Sequence, residues 1–112
     1  MKRSSNTEAD LRAISAAVNP RRNGATLTIA INGRFDFNCH QAFRRAYEGI
    51  DGVEQYLIDL AKADYIDSSA LGMLLLLREN VGNRGVVKIV NASPAVRRIL
   101  EIANFQRLFP LA

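Results

Sequence analysis

The sequence predicts a single α/β domain whose sheet mixes an antiparallel hairpin with parallel strands. Three observations carry this reading. Apolar residues alternate through "ATLTIAI", which follows a turn-rich stretch. Strand-like and helix-like segments then alternate, which implies parallel neighbours joined by right-handed crossovers. A length of 112 residues suits one modest core without metals or disulfides.

Each element has a local reason. Residues 1–10 are polar and expected to be a flexible segment, leaving 11–112 as the domain. In "TEADLRAISAAV" Thr7 offers a helix cap, but Ile14, Ala16 and Val18 alternate with Ser15 and Ala17 as in a short strand. A hairpin explains this alternation together with that of Leu27, Ile29 and Ile31. The first strand is therefore placed at residues 14–18, with "NPRRNG" at residues 19–24 as the turn.

After "NGRFDF", Asn38 is expected to cap a helix carrying Ala42, Phe43, Ala46, Tyr47 and Ile50 as one apolar stripe. "QYLIDLA" at residues 55–61 reads as a mostly buried strand. "KADYID" then connects to a long helix running from Ser68 or Ser69 to Asn83. "VVKIV" returns as a strand. Ser93 as cap and Pro94 at the first helical position open the last helix, whose inward face is Val96, Ile99, Leu100 and Ala103. The predicted order is β-β-α-β-α-β-α.

Bulk properties narrow the function classes. Apolar residues make up 48% and charged residues 23%, as in ordinary globular domains. The lone cysteine, Cys39, has no partner for an internal bridge and no neighbouring metal-ligand cluster, so no metal or cofactor is expected. No stretch approaches the ~20 apolar residues that span a bilayer. Acids stand in "MKRSSNTEAD" where a signal peptide would be apolar, so a cytoplasmic protein is expected. The net charge of +4 invites a nucleic-acid reading. The basic residues are scattered among acids with no aromatic stacking strip, so no direct nucleic-acid contact is expected.

The chemistry concentrates in "YIDSSALGMLLLL", residues 65–77. A serine at a strand-to-helix junction is a preferred helix cap, although Asp67 serves equally well. A hydrolytic serine finds little support, since G-x-S-x-G is missing and His40 is the single histidine. Neither phosphate-loop pattern occurs. An aspartyl-phosphate receiver would need an acidic cluster at its first strand, where "ISAAVNP" stands instead. A serine that carries phosphate covalently is the remaining class, and a helix N-terminus tolerates that charge.

"DLAKADYIDSSALGMLLLL" resembles the central motif of STAS domains, in particular bacterial anti-sigma factor antagonists. "NGRFDF" resembles the family's segment after the second strand, and "ASPAVRRILE" the opening of its late helix. The resemblance implies a single STAS-like domain with a mixed sheet of about four to five strands and helices packed mainly on one face. It implies a non-enzymatic partner switch. The unphosphorylated protein binds a GHKL-type serine kinase/anti-sigma factor, phosphorylation releases it, and a PP2C-type phosphatase restores it.

The family's phosphoacceptor falls on Ser68, with Ser69 as the alternative. Its contact surface falls on Arg34, Asp36, Asp67, Ser69, Ala70, Leu71 and Gly72. Ala70 departs from the usual glycine. Many relatives continue beyond the position of "FPLA" into a final amphipathic helix. Two other outputs fit the same residues: an accessory STAS module regulating a signalling enzyme or biofilm regulator, and a sensor of a nucleotide or small ligand. The helix after Ser68 is apolar nearly all round, which leaves open whether its second side is buried or docks a partner.

Overall fold

A computed structural model describes residues 17–112. Strands β1 (Val18–Asn23) and β2 (Thr26–Phe35) precede α1 (His40–Tyr47), β3 (Gln55–Ile66), α2 (Ser68–Val81), β4 (Val86–Val90) and α3 (Pro94–Ile102). Short 3-10 turns occupy Phe37–Cys39, Gly82–Arg84 and Phe105–Arg107. The sheet runs β1-β2-β3-β4, antiparallel between β1 and β2 and parallel in the other two pairings. The predicted order and mixed sheet are therefore observed. The expected flexible segment 1–10 lies outside the described residues.

The first hairpin is real, but its strand lies later than expected. Of the predicted strand only Ala17 and Val18 fall within the described residues, only Val18 belongs to β1, and β1 instead uses most of "NPRRNG". Asn23 pairs with Thr26, so the loop needs only Gly24 and Ala25. Gly24 takes the φ of +62° that the first position of such a loop favours. Among the described residues β1 is an edge strand, which is where Pro20 and exposed arginines are tolerated.

β3 is longer than the predicted residues 55–61, continuing to Ile66. Its ladder with β2 shifts register twice, between Ala30 and Asn32 and between Gly33 and Arg34. The buried positions consequently run Tyr56, Ile58, Leu60, then Ala63 and Ile66. Each irregularity lets two residues oppose one, which breaks the period-2 pattern and makes "KADYID" look like a loop.

One face of the sheet carries the core. Leu27, Ile29, Ile31, Tyr56, Ile58, Leu60, Val87 and Ile89 are buried there with residues of all three helices. Thr26, Thr28, Ala30, Gln55, Leu57 and Asp59, on the alternate positions, are half-buried. α2 contributes Ala70, Met73, Leu74, Leu77 and Val81 to the core, while Leu75 and Leu76 remain exposed. The helix ends at Val81 rather than Asn83, because Gly82 at φ +55° leaves helical geometry.

α3 opens as predicted: the Ser93 hydroxyl accepts from Val96 N–H at 3.2 Å and Pro94 stands at the first turn. After α3 the chain returns to β4. Ile89 N–H donates to Pro110 O and Ala112 N–H to Ile89 O, forming a single parallel bridge beside the four strands. No helix among the described residues is long and apolar enough to cross a membrane.

Candidate functional site at the ends of β2 and β3

Phe35 and Ile66 form the last register pair of the parallel β2–β3 ladder, and both side chains are buried. Asp67 N–H donates to Phe35 O at 3.4 Å, holding the two strand ends together as they leave the sheet. Each strand is followed immediately by an aspartate. Asp36 Oδ1 accepts from Asn38 N–H at 3.0 Å and so caps the 3-10 turn that leads into α1. Asn38 was the expected cap; instead it supplies the N–H. An aspartate two residues earlier reaches that donor at the true start of the turn.

Asp67 does the same for α2, with Oδ1 accepting from Ala70 N–H at 3.0 Å. This settles which residue of "DSS" caps. Ser68 becomes the first helical residue, exposed, with a hydroxyl that makes no hydrogen bond among the described residues. Ser69 is half-buried. Neither serine is bonded to His40, so no nucleophile–base pair is assembled.

Arg34 lies opposite Tyr65 in the ladder, with its guanidinium carbon 4.1 Å from the centre of the Tyr65 ring. Its Nε stands 3.4 Å from Asp36 Oδ2. Beneath this pair Cys39 is buried and its Sγ donates to Arg34 O at 3.3 Å. Burial pushes the thiol above its usual value; a backbone hydrogen bond from Asp36 opposes this, and the carboxylates of Asp36 and Asp67 add to it. A protonated, buried thiol is chemically quiet at neutral pH.

The structure thus gathers Arg34, Asp36, Asp67, Ser68 and Ser69 at one end of the sheet. It separates Ala70, whose side chain is fully buried in the core, and Leu71, which is half-buried against it. Gly72 and Ser69 instead line an open groove of about 710 Å³ with Phe37, His40, Met73, Leu75 and Leu76. Arg78 and Glu79 complete its far end.

Phe37 is 69% exposed and Leu76 53%, which is unusual for large apolar side chains in a 3-10 turn and mid-helix. Phe37 stacks on His40, with ring centres 5.8 Å apart. Sequence reasoning did not select Phe37, His40, Leu75 or Leu76. The excess apolarity of α2 was the one signal for Leu75 and Leu76, and only packing shows which leucines it concerns. No group of three His, Cys, Asp or Glu residues is placed to hold a metal among the described residues.

Comparison with known proteins agrees with this architecture. Residues 17–112 match the family model for the STAS domain. The chain is 50% identical over 95 residues to a STAS-domain containing protein of Pseudomonas aeruginosa, covering 83% of this chain and 94% of that one. It is 32% identical over 62 residues to BtrV of Bordetella bronchiseptica, named as a candidate anti-sigma factor antagonist, covering 54% of this chain and 53% of BtrV. The crystal structure of an anti-sigma factor antagonist from Mycobacterium paratuberculosis superposes with a TM-score of 0.74 at 22% identity, covering 84% and 82% of the two chains. That last likeness is one of fold. With a family model spanning every described residue, the chain belongs to the STAS domain family.

Proposed function

We propose that this protein is an anti-sigma factor antagonist that works in the cytoplasm by phosphorylation-controlled partner switching. With Ser68 unmodified it binds a serine kinase/anti-sigma factor of GHKL type. Phosphorylation of Ser68 by that partner releases it, and a PP2C-type phosphatase resets it. The protein itself performs no catalysis. The observation that carries this reading is the division of labour at α2: Asp67 takes the cap, leaving the Ser68 hydroxyl exposed and uncommitted. The name of BtrV supports the same class of partner.

The contact surface extends from Arg34, Asp36, Asp67 and Ser69 across Gly72 to Phe37, Leu75 and Leu76. Apolar groups at its centre and charges at its rim match the anatomy of transient interfaces. Phosphate adds about −1.5 to −2 charges beside two capping carboxylates. At ~5 Å and an effective dielectric of ~20, two unit charges repel by roughly 3 kcal/mol. The helix N-terminus returns only ~0.3–1 kcal/mol to an exposed anion. Burying that unmatched charge beneath a partner costs ~2–5 kcal/mol, and a loss of ~3 kcal/mol weakens binding by roughly a hundredfold.

The test is capture from native cytosol with wild type, Ser68→Ala and Ser68→Asp, with partners and phosphosites read by mass spectrometry. A GHKL-type kinase retained by wild type and Ser68→Ala but lost by Ser68→Asp is the expected result. Identical partners for all three, with no phosphate on Ser68 or Ser69, would overturn the proposal. Capture of a signalling enzyme with no sigma factor in the circuit would assign the same switch to another output.

A further inference from the structure

The ladder places the exposed cation of Arg34 at the same end of the sheet as Ser68, and its contact with Asp36 is long enough to be exchanged. Arg34 stands one register pair before Phe35–Ile66, and Ser68 begins α2 two residues after Ile66. By strand rise from Tyr65 and the spacing between the two strands, the Cα separation of Arg34 and Ser68 is roughly 11 Å. A guanidinium and a phosphoserine extending toward each other close much of that gap. The Arg34 side chain is 64% exposed, and its 3.4 Å contact with Asp36 is long for a charge-assisted bond. Its Nη groups make no hydrogen bond to a side chain among the described residues, and the guanidinium rests on the Tyr65 ring.

Asp36 does not depend on Arg34. Its cap uses Oδ1, whereas Arg34 faces Oδ2, so the turn keeps its hydrogen bond when the arginine leaves. Several other cations are committed or distant. Arg44 and Arg97 pair with Glu48 and Glu101 on their own helices. Arg78 donates to Leu108 O, and it lies ten residues along α2, about 15 Å from Ser68.

Resting on the reading of Ser68 as the modified hydroxyl, we propose that Arg34 is the internal counter-ion of the phosphorylated site. It leaves Asp36 Oδ2 and the Tyr65 ring and pairs with the phosphate on Ser68. Modification then changes the surface twice: it adds an anion and withdraws a cation from the face that a partner meets. Exchange is favourable because a guanidinium binds a phosphate dianion by two parallel N–H···O bonds, against one long contact to a carboxylate and one exposed cation–π contact on Tyr65.

The experiment incorporates phosphoserine directly at position 68 by genetic code expansion. No kinase is needed, so the result stands apart from whether the native partner phosphorylates this residue. The second phosphate ionisation, ordinarily near pH ~6, is followed by 31P NMR in otherwise wild-type protein and in Arg34→Gln, Arg34→Lys and Arg78→Gln. An adjacent cation favours the dianion, so the midpoint is expected to lie about 0.5–1 pH unit lower with Arg34 than with glutamine there. Arg34→Lys should recover part of the shift and Arg78→Gln should leave it in place. The Arg34 Nε–Hε resonance should move with the same midpoint, a readout that a merely structural arginine would not show. Equal midpoints for wild type and Arg34→Gln, or an Nε–Hε resonance that ignores the titration, would sink the assignment.

Discussion

Asp36 and Asp67 occupy equivalent places at the ends of neighbouring parallel strands: each follows one member of the Phe35–Ile66 pair and turns Oδ1 back onto a backbone N–H. The two helical segments that flank the site therefore start from one shared level of the sheet. This pairing relieves the serines of capping, and it keeps two negative charges beside the hydroxyl proposed to accept a phosphate.

The first prediction separates cap from acceptor. Asp67→Ala removes the bond to Ala70 N–H and should lower stability by ~1 kcal/mol, within a range of ~0.5–2. Ser68→Ala removes an exposed, unbonded hydroxyl and should stay within ~0.5 kcal/mol of wild type. Urea unfolding followed by circular dichroism measures both. Equal losses would mean that the hydroxyl shares the cap in solution.

Two leucines in α2 should part company. Leu74 has no exposed surface, so Leu74→Ala should cost ~2–5 kcal/mol. Leu76 lines the groove and is 53% exposed. Leu76→Ala should leave stability within ~0.5 kcal/mol yet weaken capture of the proposed kinase partner several-fold or more. Thermal melts and titration with the captured partner test the pair. Undiminished affinity in Leu76→Ala and in Phe37→Ala would remove the groove from the interface.

Gly85 is needed for close approach rather than for an unusual backbone. Its φ of −168° is extended, but a Cβ there would stand 2.7 Å from Glu54 O, the carbonyl that accepts Val86 N–H. Gly85→Ala should therefore cost ~1–3 kcal/mol by forcing β4 away from the loop before β3. Gly24→Ala meets nothing within 4 Å, and its cost of ~1–2 kcal/mol comes from φ +62° alone. Hydrogen exchange at Val86 N–H distinguishes them: it should accelerate beyond the global change only in Gly85→Ala.

Cys39 should contribute to an alkaline loss of stability, together with Tyr47, whose phenol is also pushed up by burial. Its folded thiol holds its proton above the usual value, mainly because it is buried. The associated stability is complete below the unfolded thiol value of about 8.5 and is lost as pH rises through the folded value. The denaturation midpoint should therefore decline above about pH 9, and Cys39→Ala should flatten that decline. Iodoacetamide at pH 8 should label Cys39 in unfolded protein at least tenfold faster than in folded protein. A wild-type slope identical to that of Cys39→Ala would show that other groups govern the alkaline limb.

Much of the domain was legible because its signals are local. The stripe through Phe43, Ala46 and Tyr47, the Ser93–Pro94 start and the alternation in β2 each need only a few neighbouring residues to express themselves. The first strand and the end of β3 were less legible. Pro20 and the arginines of β1 read as a turn until edge placement makes them acceptable. The irregular register opposite Asn32 to Arg34 erases the alternation that would have extended β3 to Ile66.

Sequence alone determined the element order, the family resemblance and the presence of "DSS" where a strand becomes a helix, since periodicity, turn chemistry and motif are written along the chain. Tertiary structure decided which member of that motif caps the helix and which is left free. It also decided that Ala70 faces the core, that Leu76 and Phe37 face the groove, and that Arg34 rests on Tyr65. Capping and exposure depend on where Phe35 and Ile66 meet across two strands, about thirty residues apart in the chain, and no local pattern specifies that meeting.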